Sequence, residues 1–186
     1  MARIYGIKKG LAEYHVDGNL AKEIIGSGNL VEIIERMERL LDPEITHQIL
    51  DTCACGAGLN RLKKIEGVAS DSLQAKIDRI PQLEDFHSAW DVRINQDGTL
   101  TVTWRTEENG RFTCGCPAVV ETGTTVGGLP QTGRSMPLTY CFCCAGLGRR
   151  HLQRLLDVEL KTKEIVSSPI HSKGEAPCVF VLEVVG

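Results

Sequence analysis

The sequence predicts an α+β protein: N-terminal helices first, then antiparallel strands with a C-terminal helix. Three observations predict it. Leu30, Ile33, Ile34, Met37, Leu40 and Leu41 recur at helical spacing with Glu and Arg between them. Trp90, Val92 and Ile94, then Leu100, Val102 and Trp104, alternate with polar residues on either side of Gln96-Asp97-Gly98, a β-hairpin with one buried face. The chain after Pro137 reads as a helix followed by two strands.

The helical half continues past Leu41. Asp42-Pro43-Glu44 restarts a helix, with Asp42 as cap and Pro43 at the first helical position. That helix carries Ile45, Ile49 and Leu50 toward Cys53, and Gly56 and Gly58 break it. A further helix begins near Ser70-Asp71-Ser72, presents Leu73, Ile77 and Ile80 on one face, and ends at Pro81. After the hairpin, Arg111 to Cys116 gives a weaker strand signal. Glu121 to Met136, rich in Gly and Thr, reads as a loop. Tyr140 to Leu156 reads as a helix, and Val158–Ser168 and Pro177–Val185 as strands joined through Pro169 to Glu175. A helical region over residues 1–81 and an α+β metal-binding region over 82–186 are expected to form one compact unit.

Composition narrows the function. The 186 residues are 42% hydrophobic and 24% charged, which argues against disorder. A net charge of −3 without a basic tract speaks against nucleic acid as a partner. No apolar run approaches a membrane span, and the first nine residues lack a signal-peptide core, so a cytoplasmic protein is expected. The sequence leaves a homodimer open.

The eight cysteines carry the chemistry. They fall at Cys53 and Cys55, at Cys114 and Cys116, at Cys141, Cys143 and Cys144, and at Cys178. In a reducing cytosol such clusters point to metal or redox chemistry rather than to disulfides. Zinc takes four ligands, thiolate sulfur and imidazole nitrogen preferred. Each of the first two Cys-x-Cys pairs lies beside glycine, as Cys53-Ala54-Cys55-Gly56 and Cys114-Gly115-Cys116-Pro117, and glycine lets the backbone turn around an ion. One such pair is as well explained by a turn that merely contains cysteines; two similar pairs favour ligands. The spacing does not say which four residues share an ion, nor whether one site forms or two. Cys141, Cys143 and Cys144 stand where a helix starts, and free amides there favour thiolate. On that helix Cys141 and Cys144 share a face and Cys143 does not. Arg149, Arg150 and His151 follow. His151 reads as a surface or hydrogen-bonded histidine rather than a ligand, and the arginines as solvated or paired with Asp157 and Glu159.

Pro137 to Val184 resembles the C-terminal part of the vinyl-reductase-type domain, a small-molecule-binding module. The matching residues are Cys141 followed by Gly146, a helix through Leu152 and Leu156, Lys163-Glu164-Ile165, a hairpin with Gly174, and Cys178-Val179-Phe180. The whole chain also resembles cysteine-rich prokaryotic proteins that share this ending. The resemblance implies that Cys141, Glu164 and Cys178 bind zinc. Where the family pattern has a further cysteine this chain has Ser167, so Cys144, or Cys53, Cys55, Cys114 or Cys116, would complete the set. It also implies one antiparallel sheet joining Trp90–Trp104 with Val158–Val185, helices packed on a face, and a pocket for a small apolar ligand. The Gly-rich loop at Gly123 to Gly133 could cover that pocket.

Two functions compete. One is a zinc-stabilised ligand-binding or sensory protein without catalytic residues. The other is a thiol-redox or iron–sulfur protein or enzyme built on the same cysteines. No catalytic triad order, phosphate loop or dinucleotide fingerprint is present; Gly56-Ala57-Gly58 lacks the preceding strand and the third glycine.

Overall fold

A computed structural model describes residues 2–27, 29–52, 67, 72–83, 90–114, 125–126, 129–130 and 136–185; for 2–3, 125–126 and 129–130 it describes the backbone alone. Four helices come first: α1 (Ala2–Glu13), α2 (Gly18–Ile25), α3 (Leu30–Leu40) and α4 (Pro43–Thr52). A short α5 (Leu73–Asp78) runs into a 3₁₀ turn at Ile80–Gln82. Then come β1 (Trp90–Ile94), β2 (Leu100–Trp104), and the two-residue strands β3 (Glu107–Glu108), β4 (Arg111–Phe112), β5 (Thr125–Val126) and β6 (Leu129–Pro130). The chain closes with α6 (Cys141–Leu156), β7 (Glu159–Ser167) and β8 (Cys178–Val185).

The helix starts are capped as the residue types dictate. Asp17, Asn29 and Ser72 each accept a backbone N–H of the first turn that follows, and Asp42 accepts the amide of Glu44 at 2.8 Å. Each such cap stabilises its helix by about 1 kcal/mol. Arg36 closes the other end of α2, donating to the carbonyls of Ile24 (2.7 Å) and Ile25 (3.2 Å). α6 ends on Asp157 in the left-handed region at φ 51°. The Lys76 ammonium reaches the Leu156 carbonyl at 2.6 Å, where the helix dipole is negative.

The main sheet is antiparallel with order β1-β2-β8-β7, the joining of the two hairpins that the sequence led us to expect. Leu100 faces Leu182, and Trp104 faces Cys178. Alternation places Val92, Leu100, Val102, Phe180 and Leu182 on one face, against Ala145, Leu152 and Leu156 of α6. Burying a side chain such as Phe180 contributes about 2 kcal/mol. Trp90 and Trp104 meet edge to face across the first hairpin at 5.9 Å.

A second core lies among α1 to α4 and takes in Met136, Tyr140, Phe142, Cys143 and Ile170 from the other half of the chain. The boundary near residue 81 is therefore crossed by a shared core. α4 runs parallel to α6. His47 stacks on Phe142, Asp51 lies against Gly146, and Thr52 meets Arg150, in the same order on both helices.

Several expectations are adjusted by these elements. Of the strand expected from Arg111 to Cys116, Arg111–Phe112 pairs with Glu107–Glu108 and Thr113 N–H adds a further bond to the Thr106 carbonyl at 2.7 Å, while residues 115 and 116 lie outside the described residues. The expected loop from Glu121 holds the short β5–β6 pair and ends with Met136 fully buried. The helix break at Gly56 and Gly58 and the loop cover from Gly123 to Gly133 fall outside the described residues, apart from β5 and β6.

Candidate functional site

Five of the cysteines are described, and topology brings them to one end of the sheet. Cys178 opens β8 opposite Trp104, the last residue of β2. Beside it, the Ser167 hydroxyl at the end of β7 donates to the Pro177 carbonyl at 2.7 Å. Cys114 follows β4, which is tied to the β7–β8 turn by Phe112 N to Gly174 O at 2.9 Å and by Arg111 to the Lys173 carbonyl at 2.9 Å. α6 runs antiparallel to β7 and places Gly148 against the Phe180 ring, so its first turn points to the same end. The Met136 carbonyl lies 3.1 Å from His171 Nε2 and fixes the lead-in to α6 against that turn.

Within this end the thiols divide. Cys143 is buried in the helical core, and Cys114 and Cys144 are half-buried against it. Cys178 is half-buried against the sheet core, and Cys141 is buried. Glu164 is exposed and stands opposite Val181, lining a surface hollow with Asn95 and Asp97. Cys178 shares the α6-facing side with Phe180, so Glu164 lies on the opposite face from it. Among the described residues no three His, Cys, Asp or Glu side chains stand together as a metal-holding group. Cys53, Cys55 and Cys116 lie outside the described residues. The donor chemistry of the described thiols suits zinc, but a full set of four needs ligands from those segments.

Next to the first turn of α6 lies a cleft of about 570 Å³ between α4 and β7. His47 and Phe142 form one wall, their rings parallel within 10° and 3.9 Å apart. Burial holds the His47 pKa below its ordinary value, opposed by the nearby carboxylates of Glu44, Asp42 and Glu38. The floor is an ion pair: Arg149 donates from Nε at 2.9 Å and Nη2 at 2.6 Å to Asp51 Oδ2, and both side chains are about 15% exposed. Thr162 donates to the other Asp51 oxygen, and Arg149 also reaches Gln153. Arg150 donates to the Thr52 carbonyl at 2.6 Å. The network ties α4, α6 and β7 together just where the chain enters Cys53.

The arginines thus find Asp51 and Thr52 rather than Asp157 and Glu159. Asp51 is 98 residues from Arg149, and no local spacing signals a contact of that range. His151 is fully buried, edge to face with Trp90 at 6.0 Å, and is a core histidine rather than a surface one.

The fold and these residues define an α+β protein with a thiol-bearing helix start at one end of its sheet. No family model matches the chain, and no curated protein matches it. Among solved structures, an H-NOX protein from S. oneidensis in the Fe(II)NO ligation state aligns over 100% of this chain and 99% of its own. The identity is 10% and the TM-score 0.43.

Proposed function

We propose that this is a zinc-binding protein whose metal is mainly structural and whose role is small-molecule binding or sensing. The observation that supports it is that Cys141, Cys143 and Cys144 open α6 at the end of the sheet where Cys178 opens β8. Cys116 lies two residues beyond Cys114, so chain connectivity keeps the two Cα atoms within about 7 Å. Cys53 and Cys55 follow Thr52, the residue after Asp51, whose backbone packs on Gly146 of α6. Cys114 with Cys116, or Cys53 with Cys55, would complete a set with Cys141, Cys144 and Cys178. Glu164 is the least suited of the expected ligands, because it stands on the other face of the sheet. A bound zinc would cross-link α6, β8 and the segment after β4, coupling metal binding to folding.

The test is Cys141→Ser, followed by metal content and melting temperature. Both are expected to fall together. Full zinc occupancy with unchanged melting would remove Cys141 from the site, and the same result for Cys178→Ser as well would overturn the placement.

A further inference from the structure

A groove of about 450 Å³ lies between α1 and α2, on a part of the molecule that contains no cysteine. Its floor is Leu11, which is 1% exposed, and Val16, Ala21 and Ile25 are half-buried along it. Small residues leave the groove open. Ala12 and Ala21 face it, and a Cβ added at Gly18 would meet nothing within 4 Å. The helices form an antiparallel hairpin joined through Tyr14 to Asp17, which sets Lys8 on one helix and Lys22 on the other. These are the charged residues of the lining, and both are cations. Among the described residues neither has an ion-pair partner, whereas the adjacent Lys9 pairs with Glu13 at 3.2 Å.

From this pairing of an apolar trough with two cations we infer that the α1–α2 groove binds a medium-chain alkyl carboxylate. The alkyl tail lies along Leu11, Val16 and Ile25, where burial releases water from both surfaces. The carboxylate is held by Lys8 and Lys22. Charge complementarity selects this occupant: an alkylammonium would meet two like charges, and a neutral alkane would leave the lysines unused. The inference rests on the ligand-binding half of the proposed function and not on the metal.

The experiment is equilibrium dialysis of the metal-replete full chain against decanoate, decanol and decylammonium, each below its aggregation range. Decanoate is expected to bind saturably and more tightly than the other two. Lys8→Gln and Lys22→Gln are each expected to weaken decanoate by about two- to fivefold while leaving decanol unchanged, as exposed ion pairs do. Gly18→Leu, which puts a bulky side chain at a lining position where a Cβ meets nothing within 4 Å, is expected to abolish binding of both while metal content and melting stay constant. Equal affinity for decanoate and decylammonium, or no saturable decanoate binding, overturns the inference. Saturable binding that Gly18→Leu leaves intact also overturns it, because the ligand then sits elsewhere; the ligand-binding reading survives that outcome.

Discussion

Gly146→Ala tests the packing that positions the first turn of α6. A Cβ built at Gly146 stands 2.1 Å from the Asp51 carbonyl oxygen and under 3.0 Å from the Asp51 carbonyl carbon and Cα. Real Cβ contacts essentially never fall under 3.0 Å, so α4 and α6 must part by about 0.9 Å. The obstacle is backbone in two packed helices, which cannot swing aside as a side chain does. Overpacking of this kind costs about 3 kcal/mol at its upper end. Alanine in a helix interior recovers about 1 kcal/mol relative to glycine, which leaves a net loss of about 2 kcal/mol. For a chain of this size that lowers the melting temperature by about 4–8 °C. The separation also strains the Asp51–Arg149–Thr162 network. The assay is thermal unfolding by circular dichroism beside two controls. In Gly148→Ala the Cβ meets the far edge of the Phe180 ring at 2.6 Å, a side chain rather than backbone, so a smaller loss is expected. Gly18→Ala enters open space and is expected to be neutral or slightly stabilising. A Gly146→Ala protein that melts with the wild type would refute the close helix–helix contact.

Three other outcomes follow from the same geometry. Asp51→Ala leaves Arg149 charged in a site about 15% exposed and is expected to cost about 3 kcal/mol; a double-mutant cycle with Arg149→Met should show coupling above about 0.5 kcal/mol in chemical denaturation. His47 has a lowered pKa in the folded state, so the unfolded chain takes up the proton first as pH falls through 6.5. Stability should therefore fall from about pH 6.5 downward and level off below the folded value, and melting curves for His47→Phe should lose that part of the slope. Asp157→Gly relieves a side chain from the left-handed region at φ 51° and should raise stability by about 0.5 kcal/mol in urea titrations, the usual preference at this cap.

What the sequence disclosed was local. The alternation around Asp97-Gly98 marks the first hairpin because a strand with one buried face must alternate. The Asp42-Pro43 restart marks α4 because cap chemistry is written in adjacent residues. The end of α6 at Leu156 and the strand limits of β7 and β8 followed for the same reason. The contacts that build the cleft were not legible. Asp51 meets Arg149 and Thr162 through the packing of α4 across α6 and β7, and nothing within a few residues of either encodes it. The family resemblance grouped Cys141, Glu164 and Cys178, yet it could not show that Glu164 faces the other side of the sheet, past the irregularity between Thr162 and Glu164.

Metal content of the chain purified without added metal tests the central claim most directly, read by mass spectrometry together with the visible spectrum. Near-stoichiometric zinc in a colourless protein is the expected result. Iron with labile sulfide and brown colour would transfer the cysteines to a cluster, and a metal-free protein with several fast-reacting thiols would contradict a metal site outright.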